Sequence, residues 1–169
     1  AASNGQTGVW LLDPSNITIT NQAGISSTGT DPKIFSNSTT SPSANVYTAD
    51  IVSALEGSTG ANVIVDTSAG SGGSGDITLS SPLTYNSSKY LTFKADGDIV
   101  LSNNITQSGS GAINLLAGQG QSVDGELKGS GNISLAGGIL TVSVDKTSVS
   151  DYTGSISGSG ASLVKSGSG

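Results

Sequence analysis

The sequence predicts an all-β chain wound as a right-handed parallel β-helix, and three observations carry that expectation. Short apolar runs of three to six residues recur from about residue 60 onward, separated by Gly/Ser/Asn turns. Two phrases are nearly the same: Gly75-Asp-Ile-Thr-Leu-Ser-Ser-Pro-Leu-Thr84 and Gly97-Asp-Ile-Val-Leu-Ser-Asn-Asn-Ile-Thr106. Three apolar positions advance together, since Ile77 and Ile99, Leu83 and Ile105, and Leu91 and Ile113 are each separated by 22 residues. A coil of three short strands per turn of about 20–22 residues gives that pattern, with equivalent residues stacked at the interstrand spacing of about 4.8 Å. Strand residues alternate sides, so Ile77 and Leu79 are expected to face inward and Thr78 outward. Each turn is completed only by its neighbours, as in any solenoid.

The elements follow in chain order. Residues 1–60 read as irregular first turns. Gly8-Val-Trp-Leu-Leu-Asp-Pro14 and Asn16-Ile-Thr-Ile-Thr20 read as two strands about a turn at Asp13-Pro14. Residues 21–45 read as loop, with turn signals at Asp31-Pro32 and Ser41-Pro42. One short helix is expected near 48–56, with Thr48 as its N-cap, Asp50 in its first turn and Gly57 ending it. Its apolar face would be Ile51, Val52 and Leu55. Residues 61–169 read as regular turns that continue beyond this stretch. A third turn is expected to be looser, with Leu127 and Ile133 following Ile105 and Ile113 by 22 and 20 residues. The Gly-rich segment 68–75 reads as a protruding corner loop, where Gly supplies the positive φ of sharp bends.

Composition restricts the chemistry. Of 169 residues 25 are Gly, and only 11% are charged, against roughly 25% in typical soluble domains. The 32 Ser and 17 Thr therefore supply most of the polar surface. Cys and His are absent, which removes disulfides, thiolate or imidazole metal sites, and Ser-His-Asp or Cys-His catalysis. A Cys-free chain also suits export in an unfolded state. The net charge of −6, with six Lys and no Arg, argues against nucleic-acid and anionic-lipid partners. No apolar run reaches the roughly 18 residues of a membrane span. Without Met, Ala1 is not a translation start, so the chain reads as a mature form or an excised fragment.

Acid pairs are the remaining catalytic candidates, namely Asp96 with Asp98 and Asp76 with Asp98 on adjacent turns. Like carboxylates that close can share a proton or a cation. The commoner arrangement is a solvated corner whose carboxylates accept backbone N–H bonds, and the reading adopted is no catalytic residue, cofactor or metal. A repeated calcium nonapeptide is excluded, because Gly72-Gly-Ser-Gly-Asp76 places Asp one position early and occurs once. Asn16, Asn37, Asn86, Asn104 and Asn132 open Asn-x-Ser/Thr sequons and are candidate glycosylation acceptors. Trp10 reads as a core or cap residue, and Tyr47, Tyr85, Tyr90 and Tyr152 share no register that would make a sugar-stacking platform.

Trp10-Leu-Leu-Asp-Pro14 with Asn16-Ile-Thr-Ile19 resembles a phrase of haemagglutinin-like filamentous adhesins, the large exoproteins of Gram-negative bacteria exported by two-partner secretion. The order that follows over residues 8–116 is similar to the same proteins, although no recognisable secretion domain is present. Ala161-Ser-Leu-Val-Lys-Ser-Gly-Ser-Gly169 resembles the opening of a repeat of autotransporter passengers. The resemblance implies a secreted protein at the bacterial cell surface that displays loops and Ser/Thr/Asn rows. Its partners would be a host or neighbouring-cell surface glycan or protein, with an outer-membrane transporter during export and no membrane insertion. Loops 21–45 and 68–75 are the expected contact regions. A polysaccharide-degrading β-helix enzyme and a ligand-free stalk are the alternatives.

Overall fold

A computed structural model describes residues 15–120, 124–145 and 151–168. The strand and turn expected within residues 8–14, Trp10 included, lie outside the described residues. Among the described residues, fifteen strands and one helix follow in order: β1 (Asn16–Thr20), β2 (Lys33–Ser36), β3 (Ser43–Tyr47), α1 (Thr48–Glu56), β4 (Val63–Asp66) and β5 (Ile77–Leu79). Next come β6 (Leu83–Tyr85), β7 (Leu91–Lys94), β8 (Ile99–Leu101), β9 (Ile105–Gln107) and β10 (Ile113–Ala117). The last are β11 (Leu127–Gly129), β12 (Ile133–Leu135), β13 (Ile139–Val144), β14 (Ile156–Gly158) and β15 (Ser162–Ser166).

Every pairing between these strands is parallel, and they stack into three sheets along one axis. Sheet A runs β3-β1-β5-β8-β11, sheet B runs β2-β4-β7-β10-β13-β15, and sheet C runs β6-β9-β12-β14. The chain visits A, C and B in turn, which makes a parallel β-helix of about five turns. Its core is a set of stacked columns. One is Leu83, Ile105, Ile133 and Ile156; another is Val63, Leu91, Ile113, Leu140 and Leu163. Ile77, Leu79, Ile99 and Leu101 are fully buried while Thr78 and Val100 between them are half-exposed, as the alternation requires.

The 22-residue step holds for the pairs Ile77–Ile99, Leu83–Ile105 and Leu91–Ile113. The next turn departs from the sequence expectation. Leu127 pairs with Ile99 and Ile133 with Ile105, so each step is 28 residues, not 22 and 20 onto Ile105 and Ile113. The cause is one corner. The connections from sheet A to sheet C are residues 80–82, 102–104 and 130–132, all the same length. The connections from sheet B to sheet A are 37–42, 67–76, 95–98 and 118–126, and they vary more than twofold. The added residues of the longer turn therefore lie mainly at 118–126, whose base is pinched where Gly118 packs against Gly125. Periodicity places strands; it has no hold on a corner, where only backbone geometry is constrained. Every positive-φ residue among those described is a glycine. Gly129 shows why: at φ +100 its missing Cβ would lie 2.3 Å from the Leu101 carbonyl oxygen.

The first turns hold three further departures. Residues 21–45 are not all loop, because β2 and most of β3 lie there, each contributing one fully buried side chain, Phe35 and Val46. β1 sits between β3 and β5, so the strand order of sheet A does not follow the sequence at this end. The segment 68–75 packs down and does not protrude. Gly70 and Gly73 let its backbone lie against Ser15, Asn16 and Pro42, and the Thr67 hydroxyl donates to the Gly75 carbonyl at 3.0 Å.

α1 takes the place of a strand in sheet C. It buries Ile51, Ala54 and Leu55 beside β6, while Val52 is only partly covered. The Ser87 hydroxyl donates to the Leu55 carbonyl at 2.8 Å, and the Asn86 N–H donates to Glu56 Oε1 at 2.5 Å. Tyr47, not Thr48, is the N-cap and makes no side-chain cap bond; Thr48 is the first helical residue. Gly57 ends the helix with φ −53, its N–H donating to the Ser53 carbonyl.

Candidate functional site

The polar residue just before the first buried apolar residue of β1, β5, β8 and β11 forms a ladder up the corner that enters sheet A. Asn16 Oδ1 accepts the N–H of Asp76 at 3.0 Å, Asp76 Oδ1 accepts that of Asp98 at 2.8 Å, and Asp98 Oδ1 accepts that of Glu126 at 2.8 Å. Lys128 closes the ladder with contacts of 2.6 Å to Asp98 Oδ2 and 2.8 Å to Glu126 Oε2. Asp76 and Asp98 thus stand on adjacent turns as the spacing predicts, and their carboxylates hold the next rung's backbone. Asn16 and Glu126 are further rungs that sequence reasoning missed. Their signal was a polar residue immediately before the first buried apolar residue of a strand, hidden for Glu126 by the longer turn.

Asp96 belongs to a different group. Burial and the charge of Asp66 raise its pKa, and Lys94 offsets part of that rise. Asp66 is lowered: burial pushes it up, but the N–H and hydroxyl of Ser68 and the Lys94 ammonium at 3.0 Å outweigh that. Asp98, by contrast, is bonded through Glu126 and Lys128, so the two proposed members of the Asp96–Asp98 pair have different partners. Among the described residues no three acidic side chains cluster as metal ligands would.

The five sequon asparagines have distinct surroundings. Asn104 and Asn132 are exposed on the corner entering sheet C, where Asn104 Oδ1 accepts the Asn132 N–H at 2.8 Å and Asn132 Oδ1 accepts the Ser155 N–H at 2.9 Å. Asn86 is exposed beside α1, and Asn16 is half-buried in the acid ladder. Asn37 is 1% exposed, its Nδ2 donating to the Ser41 carbonyl and its Oδ1 accepting from Thr39. A sugar on Asn37 would have to break that turn.

Two surface features remain. Sheet C carries an outward row, Thr84, Thr106, Ser134 and Ser157, in continuous register. At the amino end, α1, β2 and the segment before β2 enclose two adjoining hollows of about 310 and 440 Å³ that share Lys33, Ser53 and Ala54. Ser26, Ser27 and Asp50 line the first, and Thr30, Asp31 and Lys89 are among the residues lining the second. Asp31 pairs loosely with Lys89, at 3.9 Å. The class defined by all this is a polar-surfaced parallel β-solenoid. No protein-family model, curated protein or solved structure matches the chain.

Proposed function

We propose that this chain is a segment of the exported passenger of a bacterial surface adhesin, a rigid coil that presents polar rows and corner segments for attachment. The observation that carries the reading is the confinement of length variation. The corner from sheet A to sheet C keeps three residues (80–82, 102–104, 130–132) and that from sheet C to sheet B has three to five (86–90, 108–112, 136–138, 159–161), while the corner from sheet B to sheet A ranges from four residues (95–98) to ten (67–76). Binding residues are disproportionately placed on variable connections held by a rigid scaffold. The Ser/Thr/Asn surface and the Trp10–Pro14 phrase support the same reading. A ligand-free stalk is the second reading, favoured by the unbroken register of the core columns.

The chain coupled to beads and screened against glycans, extracellular-matrix proteins and whole cells tests this. Retention of one class, abolished by free ligand, is expected. Retention of none would leave the stalk. Deleting one 22-residue turn, Ile77 to Asp98, should reduce length while sparing adhesion if that turn serves only as spacer.

A further inference from the structure

We infer that the trough between α1, β2 and residues 26–31 is a binding site for a carboxylate-bearing sugar. The inference deepens the adhesive reading and rests on it. Lys33 is the central observation. It stands in register with Val63, Leu91, Ile113, Leu140 and Leu163, so it occupies a core column of which every other member is apolar. Where the sheet ends, that column opens into the trough, and Lys33 lines both of its halves. Lys89, Lys94 and Lys128 each pair with a carboxylate, and Lys165 donates to the Gly167 carbonyl. Lys33 has no partner for its ammonium among the described residues.

The walls are held in place before any ligand arrives. Thr28 and Ile34 exchange two backbone hydrogen bonds at 2.8 Å, and the Ile25 N–H donates to the Asn45 carbonyl at 2.7 Å. On the other side the Ala61 N–H donates to the Ala54 carbonyl at 2.7 Å, and the Asn62 N–H to Asp31 Oδ1 at 2.9 Å. Both halves fall in the size range of small-molecule sites, roughly 300–1,000 Å³.

The lining chooses the ligand. Hydroxyls of Ser26, Ser27 and Ser53 with the Asp50 carboxylate suit a polyhydroxylated molecule, because they offer both donors and acceptors. A neutral sugar lacks a stacking surface here, since Phe35 beneath the trough is 1% exposed. Charge is therefore the discriminating contact, a carboxylate on the Lys33 ammonium. A long polyanion is disfavoured by the net charge of −6, whereas a single terminal acid meets only its neighbours within the screening length of about 8 Å.

The test is a nuclear magnetic resonance titration of the whole chain with sialyllactose, with lactose as the neutral match and acetate as the non-sugar acid. Sialyllactose should shift the amides of Ser26, Ser27, Lys33 and Ser53. Lactose and acetate should bind at least tenfold more weakly. Lys33→Ala should weaken sialyllactose at least tenfold with an unchanged circular dichroism spectrum, and Lys33→Arg should restore part of the loss. Equal response to lactose, equal response to acetate, or indifference to Lys33→Ala each overturns the site. Glycan retention on beads that survives Lys33→Ala would sink the trough and leave the adhesive reading standing; loss of all retention in the parent chain sinks both.

Discussion

Two stacked residues, Tyr85 and Gln107, put polar atoms into an otherwise apolar column on sheet C. Gln107 is 1% exposed and its Nε2 donates to the carbonyls of Ser87 and Gly111, which ties two successive corners together. Its Oε1 and the Tyr85 hydroxyl have no hydrogen-bond partner. A buried polar atom without a partner costs about 1–3 kcal/mol. Tyr85→Phe should therefore raise the urea midpoint at neutral pH, by up to about 1 kcal/mol of stability. The pH dependence has a definite sign. Burial raises the Tyr85 phenol above its ordinary value, so the folded state holds that proton more tightly than the unfolded one. The stability linked to it is complete below the unfolded pKa of about 10 and falls as pH rises beyond that. The Phe variant should lack this alkaline decline, and urea titrations at neutral and alkaline pH would show it. Equal declines in both proteins would refute the assignment.

The helix is the element most exposed to a single change. Leu55 is 1% exposed and covers the edge of sheet C where a strand would otherwise stack. Leu55→Ala should cost about 2–5 kcal/mol. Hydrogen exchange should accelerate across Leu83–Tyr85 while Ile133–Leu135, three stacked levels away, stays protected, because solenoid coupling runs between neighbours. Uniform acceleration would mean that the coil unfolds as one unit. Elements differ in how plainly the sequence announces them. α1 was legible from Ile51 and Leu55 four residues apart, closed by Gly57. The strands from β4 to β10 were legible because Ile, Leu and Val recur at paired intervals. β2 and β3 were not, since each buries one residue in full, and Pro32 and Pro42 just before them read as turn signals. The 28-residue turn escaped for a different reason, since corner length leaves no trace in side-chain periodicity. Asp76 and Asp98 could be read as stacked rungs from their repeated phrase. The trough could not, because backbone bonds between distant segments assemble it and no motif records them.

At the scale of the whole molecule, the two ends of the coil differ. At the carboxyl-side end β14 and β15 are outermost, and Ile156 and Leu163 continue buried columns while remaining 41% and 56% exposed. Strand edges left open beside apolar surface, as they are in this stretch taken alone, are templates for association or for a further turn of the coil. Lys165, in register with Val142, sets a charge at a core position and opposes that tendency. Ile156→Lys with Leu163→Lys should lower concentration-dependent light scattering of the chain, and unchanged scattering would count against these columns as the sticky surface. The other end bears on assembly. Among the described strands β1 alone has two neighbours, β3 and β5, that both come later in the chain. A strand laid down with both edges vacant is a template in two directions. β3 closes one side after a local excursion through β2, and β5 opens the other, from which the remaining turns are added one at a time. Among the described strands the coil therefore has an interior seam at β1, capped on one side by β3 and continued on the other through β5 by every later turn of sheet A.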